Sequence, residues 1–406
     1  MRPPAAVVVT GLGAVTPAGL DVETSWDRVC SGISAAAVDP ELGGAVRISC
    51  RVPGFDAAGH LGAGASWRLD RFVQLAVVAA RQAVASAGLD PCTWDGARVG
   101  VVLGNSLGGS TTFERQHREL IAGGEEDVSP LLVPMTMVNM VAGQVSTDCS
   151  ARGPSLVVAT ACASGTTAVG IGRDLLRAGA CDVVLAGGTE SAISPAVIAG
   201  LTRMGALSRR ADPATASRPF DADRDGFVVA EGAGVLVLER DADARARRAP
   251  RLATVAGFGA SADAHHITAP APGGAGLQQA LRGALADAGL DPADVEHVNA
   301  HGTSTPLNDA TEAQALREVL GQGAAVTSTK GVTGHLLAAA GAVEAAFTVL
   351  ALRDGLLPPT ANLVRLDPMI DIDVVHGEAR KVPLRTAVST SMGFGGLNAA
   401  VAMTAA

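Results

Sequence analysis

Cys162 is the residue of this chain whose type and position most directly suggest chemistry. It follows a β-like run, Ser155–Thr160, and precedes a segment of helical spacing, Ala168–Ala178. A thiol on a strand-to-helix turn lies near the positive end of a helix dipole, which favours the thiolate and lowers a cysteine pKa to roughly 3.5–7.5. Unpaired backbone N–H groups of the same turn can stabilise an oxyanion. Cys162 is therefore a candidate nucleophile, with a buried structural thiol as the alternative.

Two further segments place histidines at comparable boundaries. His301 lies in Asn299–Pro306, where a strand-like run enters a loop rich in hydroxyl groups, and His335 ends Ser328–His335, which leads into an apolar helix. Each histidine has a glycine neighbour, which allows close approach of the backbone. A lone histidine is more often structural than catalytic, but these positions beside a candidate nucleophile favour catalysis.

Lysine usage draws attention to the segment before His335. The chain has only two lysines, Lys330 and Lys381, among 31 basic residues. A lysine five residues before His335 suggests an electrostatic role. Glu312 lies at helical spacing beyond Asp309 and is predicted to pair with Lys330.

Composition excludes several classes of function. A 406-residue chain that is 48% hydrophobic can bury a large core and has room for two or three domains. Its net charge is −9 and it has no dense basic patch, so we expect no nucleic-acid partner. Six cysteines without CxxC or metal-ligand spacing argue against a zinc site or a disulfide scaffold.

The sequence also predicts a cytoplasmic protein with no membrane partner. The amino terminus lacks the layout of a signal peptide. The longest apolar run, Leu336–Leu352, has 17 residues and contains Glu344, so it is short for a membrane span. We expect it to form a buried helix.

The chain contains a diverged duplication. The pentapeptide Ala87–Pro91 recurs as Ala288–Pro292, and the strand-like run Val7–Gly13 is echoed by Ala253–Gly259. Each pentapeptide ends an alanine-rich helical segment and precedes an apolar strand. Because strand and helix signals alternate in both halves, we predict an α/β fold with largely buried strands.

A charged run, Glu239–Arg248, is expected to mark the junction between the halves as a solvated surface segment. The predicted division is residues 1–250, carrying the candidate nucleophile, and residues 251–406, carrying both histidines.

Motifs in order along the chain resemble the β-ketoacyl-acyl carrier protein synthases, from about Val7 to Val401. They are ATACASG around Cys162, SRPFDADRDGFVVAEGAGVLVLE at Ser217–Glu239, NAHGTSTPLND around His301, STKGVTGHLLAAAGAVEA around His335 and GFGGLN at Gly393–Asn398. The nearest branch is the elongating synthase II group with the type II polyketide ketosynthases. The resemblance implies the thiolase fold, in which two pseudo-duplicated α-β-α halves form a five-layered α-β-α-β-α structure.

The resemblance also implies roles for the candidate residues. Cys162 would take the growing acyl chain as a thioester. His301 and His335 would hydrogen-bond the malonyl thioester carbonyl and stabilise the enolate formed as CO₂ leaves. Lys330, paired with Glu312, would hold this arrangement electrostatically. Decarboxylation creates the carbanion, so donors to the enolate oxygen are needed more than a strong base.

Further positions are implied to contact substrate. Thr303 and Thr305 would contact the phosphopantetheine arm of the acyl carrier protein, and no separate cofactor is expected. Phe394 resembles a gating phenylalanine whose N–H joins that of Cys162 in an oxyanion hole. The other positions transferred are the flanking Gly393 and Gly395, the acyl-pocket residues Leu107 and Leu132, and Glu344, which matches a carboxylate that in some members helps bind a monovalent cation. A glutamate satisfied by the backbone is the alternative for Glu344.

The implied partners are an acyl carrier protein and a second subunit. The second subunit would be another copy of the chain or a chain-length-factor-like protein. Carrier proteins in this family are acidic, so an acidic chain needs local cations at the docking surface. The candidates by family position are Arg68, Arg71, Arg203, Arg209 and Arg210.

Several other protein classes fit these residues less well. A degradative thiolase needs a second cysteine near its carboxyl end, and none follows Cys181. Initiating and chalcone-type synthases have asparagine where this chain has His335. A chain-length-factor subunit lacks the nucleophile. A dinucleotide-binding protein would need a third glycine after Gly11-Leu12-Gly13.

The expected reaction is decarboxylative Claisen condensation of a Cys-bound acyl chain with malonyl-acyl carrier protein. A type II polyketide pathway is favoured by the preference for arginine over lysine, by abundant alanine and by Leu131-Leu132, where fatty-acid enzymes usually carry aromatics at the dimer interface. Housekeeping fatty-acid elongation is the alternative, and a non-catalytic subunit is less favoured.

Overall fold

The computed structural model describes residues 5–406, and most of its strands form one 11-stranded mixed sheet. Strands β1 to β15 are Val7–Val15, Ala37–Val38, Ile48–Ser49, Val99–Gly104, Ser155–Val158, Val183–Glu190, Gly232–Arg240, Ala253–Ala262, His297–Asn299, Ala325–Thr327, Leu356–Leu357, Asp373–Val374, Arg380–Lys381, Thr386–Gly393 and Leu397–Thr404. Helices α1 to α14 are Val22–Ser31, Ala57–Leu61, Ala63–Ser66, Arg71–Ser86, Ser110–Gly123, Leu132–Thr136, Met140–Asp148, Ser164–Arg177, Pro195–Met204, Asp241–Ala246, Ala275–Ala288, Pro306–Leu320, Lys330–Thr333 and Ala340–Asp354.

The two halves of the large sheet repeat one strand order. Outward from the join, the first half runs β1-β7-β6-β4-β5 and the second runs β8-β15-β14-β9-β10, with β12 at its edge. In both, the first two pairings are antiparallel and the next two are parallel. The halves join where Val8 faces Thr254 and Val9 faces Ala253. The duplication predicted from the sequence is confirmed.

The helices complete five layers. Helices α8 and α14 lie between the half-sheets and contact strands of both. Helices α4 and α7 cover the outer face of the first half, and α11 covers that of the second with α12 beside it. The predicted α-β-α-β-α arrangement is therefore confirmed.

The central layer depends on close contact between α8 and α14. The apolar run predicted to be a buried helix forms α14, whose residues from 340 to 352 are all buried. A Cβ on Gly165 would lie 2.5 Å from the backbone N of Ala342, and one on Gly341 would lie 2.7 Å from that of Thr166. These glycines let the two helices approach at the level of their amino termini.

The expectation of a solvated segment at Glu239–Arg248 is wrong for its beginning. Strand β7 extends to Arg240 between two other strands, so Glu239 is buried. Its carboxylate accepts hydrogen bonds from the Thr10 hydroxyl at 2.5 Å and from Arg247 Nε at 2.8 Å.

Among residues 5–406, no helix is both long enough and apolar enough to cross a bilayer.

Candidate active site

Cys162 lies in a tight 3₁₀ turn, Ala161–Ala163, between β5 and α8. Ala161 has a φ of +50°, in the left-handed region that residues with a Cβ rarely adopt. The Ser164 hydroxyl accepts the Thr160 N–H at 2.9 Å and donates to the Ala161 carbonyl at 2.6 Å. This turn fixes the buried thiol just before the amino terminus of α8, as the sequence predicts.

His335 reaches the thiol from the second half of the chain. Gly334, with a φ of +69°, ends helix α13. The His335 backbone then donates to Val228 O at 2.8 Å and accepts from Ala230 N at 2.9 Å. Its ring nitrogen Nε2 lies 3.2 Å from Cys162 Sγ.

His301 follows β9, and its ring lies 5.2 Å from that of His335 at an angle of 82°. Its turn is held by Glu312, whose carboxylate accepts the backbone N–H groups of His301 and Gly302, each at 2.7 Å, and the Thr390 hydroxyl at 2.8 Å. Burial raises the pKa of Glu312 to about 7. Glu312 therefore supports the site through the backbone of the histidine turn.

The predicted pairing of Lys330 with Glu312 is wrong. The ammonium group of Lys330 is fully buried and pairs with Glu344 on α14. Spacing along the sequence favoured Glu312, but that carboxylate is already occupied by three donors on the other side of the histidine turn. The charge of Lys330 lowers the pKa of Cys162 and of both histidines.

The expectation of a lowered cysteine pKa is also wrong. Burial raises the pKa of Cys162 to about 11, although Lys330 and the Phe394 N–H act in the opposite direction. Desolvation disfavours the thiolate more than these groups favour it. Burial, followed by the charge of Lys330, lowers the pKa of His301 and His335 well below the ordinary histidine range, so both rings are neutral near pH 7.

Hydrogen bonding fixes the tautomer of His335. The backbone N–H of Leu337 donates to Nδ1 at 3.3 Å, so Nδ1 carries the lone pair and Nε2 carries the proton. The Cys162, His301 and His335 ligand atoms lie within 4.8 Å of one another, a spacing that a metal could use. A metal bound to Nε2 would require the proton to move to Nδ1. The Nδ1–H group would then point at the backbone N–H of Leu337, and two donors would oppose each other. The arrangement therefore suits an anion better than a cation.

Phe394 closes the site from the turn between β14 and β15. Its backbone N–H acts to lower the pKa of Cys162, and the residue is 36% exposed. Gly395 and Gly396 follow with φ values of +85° and +71°, which a residue with a Cβ would adopt only under strain. Gly393 lies against the backbone of the nucleophile turn, where a Cβ would sit 2.6 Å from Thr160 O.

These groups line one cavity of about 620 Å³. The hydroxyls of Thr303 and Thr305, which are predicted to contact the substrate arm, lie 3.0 Å apart on its wall. Leu107 also lines this cavity, whereas Leu132 lies on α6 outside it.

The surroundings of Glu344 fit a monovalent cation. Three buried oxygens have no hydrogen-bond partner within the described part of the chain: Asn299 Oδ1, Glu344 Oε2 and Ser389 Oγ. Asn299 faces Ser389 across β9 and β14, and its amide donates to the Glu344 carbonyl at 3.3 Å. Oxygen-only donor sets suit hard cations.

The predicted docking arginines divide into two groups. Arg71 is committed to a bidentate pair with buried Glu231, at 2.8 and 2.7 Å, so its assignment to docking is wrong. Arg210 is half-buried and donates to Asp223 O at 2.5 Å. The side chains of Arg68, Arg203 and Arg209 are exposed and form no salt bridge with any residue from 5 to 406.

Two residues of the cavity wall were missed. Phe227 packs edge-on against His335, with ring centroids 5.1 Å apart. Glu190 is fully buried at the end of β6, and burial raises its pKa to about 8. The sequence signal that could have identified Glu190 is its place as the single acidic residue at the end of an otherwise uncharged strand.

Comparison with known proteins agrees with this geometry. The profile for the "Beta-ketoacyl synthase, N-terminal domain" matches residues 5–244, and that for the "Beta-ketoacyl synthase, C-terminal domain" matches residues 252–364. The 3-oxoacyl-[acyl-carrier-protein] synthase 2 of Staphylococcus aureus (strain COL) is 43% identical over 400 residues, covering 97% of this chain and 96% of the relative. The Synechocystis sp. protein of the same name is 42% identical over 403 residues, covering 98% and 97%.

Solved structures show the same fold over the whole chain. The ishigamide ketosynthase/chain length factor is 32% identical with a TM-score of 0.93, covering all of both chains. A type II PKS acyl-carrier protein in complex with its ketosynthase bound to the hexaketide gives 31% identity and a TM-score of 0.93, again with full coverage. With both domain profiles matched in order and the fold shared from end to end, this chain belongs to the β-ketoacyl synthase family.

Proposed function

We propose that this protein is a ketosynthase that extends a Cys162-bound acyl chain by decarboxylative Claisen condensation with malonyl-acyl carrier protein. The observation that carries the proposal is the 3.2 Å contact between Cys162 Sγ and His335 Nε2 in a cavity that His301 and Phe394 also line. A nucleophile, a neutral donor and a backbone donor converge where an acyl thioester would react.

Loading exchanges one thioester for another. Cys162 Sγ attacks the acyl carbonyl, the bond from carbonyl carbon to pantetheine sulfur breaks, and the thiol proton leaves with the pantetheine thiol. Because burial keeps Cys162 protonated, the transient thiolate relies on Lys330 and the Phe394 N–H. The N–H groups of Cys162 and Phe394 would bind the tetrahedral oxyanion.

Condensation then needs donors rather than a base. The malonyl carboxylate leaves as CO₂, and the electron pair passes to an enolate whose oxygen faces His301 and His335. The neutral His335 ring presents Nε2–H to that oxygen because Leu337 occupies Nδ1. The enolate carbon attacks the Cys162 thioester, a carbon–carbon bond forms and the Cys162 thiolate is released.

The substrates are delivered on the phosphopantetheine arm of an acyl carrier protein, with Thr303 and Thr305 as its contacts in the cavity wall. We propose no other organic cofactor. A monovalent cation held by Asn299, Glu344 and Ser389 would supply positive charge beside the Lys330–Glu344 pair.

The carrier protein is proposed to dock on Arg203 and Arg209, which flank cavity-lining residues of α9 and the following loop. Reversing both to glutamate should raise the apparent KM for the carrier protein several-fold and weaken its salt dependence, because steering by the exposed cations is lost. Turnover of a small pantetheine thioester serves as the control and should barely change. Equal losses with both substrates would contradict a docking role.

A second subunit is proposed on the edge of the sheet at β5. Strand β5 ends the strand order, and exposed apolar side chains lie on β5 and on α5 and α6, which precede it in the chain: Phe113, Ile121, Val133 and Leu156. Unpaired strand edges and exposed apolar surface are both suited to association. Another copy of the chain and a chain-length-factor-like protein remain the two candidates. We also propose that the boundary between the two halves lies near residue 250, dividing the chain into residues 1–250 and 251–406.

The function is tested with purified protein, acyl-carrier protein and malonyl-carrier protein. We expect CO₂ release and a β-ketoacyl product two carbons longer, with an acyl adduct on Cys162 by mass spectrometry. Cys162→Gln, which mimics the acylated thiol, should release CO₂ without forming product. An absence of both CO₂ and product with every primer would contradict the proposal.

The polyketide assignment is tested by primer choice. We favour a type II polyketide pathway, in which poly-β-keto primers would be extended, preferably together with a chain-length-factor-like partner. Efficient extension of saturated primers by the protein alone would instead indicate fatty-acid elongation.

A further inference from the structure

Glu190 binds the loop that follows β4 and carries Leu107. Its carboxylate is fully buried in the cavity wall and accepts three N–H groups. Asn105 Nδ2 donates to Oε1 at 3.1 Å, while the backbone N–H groups of Ser106 and Leu107 both donate to Oε2, at 3.1 and 3.3 Å. One side chain thus fixes the loop that follows β4.

The same loop is secured from two other directions. The Asn105 amide donates to Thr189 O at 2.9 Å, and its oxygen accepts the Gly108 N–H at 2.9 Å. The Ser106 hydroxyl donates to the carbonyl of Ala161, in the nucleophile turn, at 3.2 Å. This hydrogen bond joins the loop directly to Ala161, the residue before Cys162.

Leu107, in this loop, lies between two cavities. Beyond the cavity that contains Cys162 is a second one of about 510 Å³. Leu107 and Val197 line both, so the Leu107 side chain forms part of the wall between them. The second cavity is lined further by residues of α5 and α9, including Phe113, His117 and Ala196.

We propose that Glu190 is a positioning residue for acyl-chain selection, because it holds Leu107 as a partition between these cavities. The inference rests on the proposed function, since it assumes an acyl chain on Cys162. A short chain would end at Leu107, whereas a long chain would have to displace it to enter the second cavity.

The contact uses the ionised form of Glu190, whose pKa burial raises to about 8, so the variants are compared at a pH above that value. Both oxygens of Glu190 accept hydrogen bonds, whereas glutamine has one oxygen and one NH₂ group. Either orientation of a glutamine amide would direct NH₂ against an N–H of the loop. An unpaired buried donor costs about 1–3 kcal/mol, so Glu190→Gln should release the loop without changing the size of the side chain.

The test compares self-acylation of Cys162 with hexanoyl and myristoyl pantetheine, as initial rates from intact-protein mass spectrometry. Glu190→Gln should raise the myristoyl-to-hexanoyl rate ratio by about tenfold, the factor that corresponds to about 1.4 kcal/mol. Asn105→Ala, which frees the same loop from its other side, should shift the ratio in the same direction. Leu107→Ala removes the partition itself and so gives the rate ratio expected without it.

Two comparisons separate positioning from a general loss of stability. In Glu190→Gln/Leu107→Ala the ratio should rise no further than in Leu107→Ala alone, because the loop no longer carries a partition. Glu239→Gln removes another buried carboxylate, one that binds Thr10 and Arg247 and not this loop, and should leave the ratio at the wild-type value. Thermal unfolding of each variant verifies that it is folded.

An unchanged ratio in folded Glu190→Gln and Asn105→Ala, or an additive double variant, would overturn this inference while leaving the ketosynthase intact. Failure of the wild type to acylate Cys162 with either thioester would overturn the proposed function and the inference together.

Discussion

The two halves of the molecule use the same turn before their central helices, but only one turn carries a nucleophile. Ala161–Ala163 precedes α8, and Leu337–Ala339 precedes α14. Each is a 3₁₀ turn whose first residue has a left-handed φ, +50° at Ala161 and +51° at Leu337. The next position is Cys162 in the first half and Ala338 in the second.

The difference lies in what precedes each turn. In the second half, the residues before the turn bring in Lys330 and His335, which lie against the nucleophile of the first half. The two turns contact each other across the centre of the molecule. The duplication thus gave two equivalent backbone turns, and the candidate site takes residues from both halves, so that neither half contains all of it.

The largest expected effect comes from making the first turn resemble the second. Cys162→Ala should abolish acyl loading and condensation, because the nucleophile is lost, while thermal unfolding stays close to that of the wild type, since Ala338 already occupies the equivalent position. Intact-protein mass spectrometry measures loading. Cys149→Ala, at a buried cysteine outside the site, is the matched control and should load normally. Acyl transfer to any other cysteine would contradict the assignment.

Removing a histidine separates the contributions of the halves. His301→Ala and His335→Ala should each still load Cys162 but lose decarboxylation by roughly 10²–10³-fold, the usual cost of one oxyanion-type donor. Release of CO₂ from malonyl-carrier protein is the measurement. His297→Ala, at a buried histidine of β9 bonded to Thr327, controls for the loss of an imidazole. Normal decarboxylation by either catalytic variant would assign that histidine another role.

The pH dependence of the thiol tests which force dominates at the first turn. Because burial raises the pKa of Cys162 to about 11, its thiolate fraction grows with pH up to that value. Alkylation by iodoacetamide should therefore rise about tenfold per pH unit between roughly pH 7 and 10. Peptide mass spectrometry follows Cys162, with exposed Cys92 as an internal reference for the reagent. A plateau below pH 8 would show instead that the helix terminus dominates.

The smallest effect is expected where the two turns lead into their helices. Gly165→Ala and Gly341→Ala should each lower the free energy of unfolding by about 1–3 kcal/mol, because a Cβ would collide with the opposite helix. Urea unfolding provides the measurement. Gly143→Ala is the matched control, since a Cβ there meets open space on α7 and should stabilise by about 0.5–1 kcal/mol. Neutral results at both central positions would mean that the helices can separate without cost.

The sequence by itself determined the residues of the site and the repeat that organises them. Cys162, His301 and His335 could be identified because each lies at the end of a strand or the start of a helix, with a glycine nearby. The duplication was predictable because the repeated segments around residues 87 and 288 mark equivalent elements, whereas the five-layered fold was implied by the resemblance of the motifs to the β-ketoacyl synthases. These features depend on short stretches of chain, and short stretches are what a sequence pattern describes.

Only the tertiary structure decided the partners and the protonation states. Lys330 pairs with Glu344 and not with Glu312, and Arg71 is held by Glu231, because packing of distant segments determines which charges meet. The contact between Cys162 and His335 joins residues 173 positions apart. The direction of the Cys162 pKa shift depended on burial, which the whole fold creates. Desolvation and long-range charge pairing are properties of the assembled core, so no local pattern could have fixed their sign.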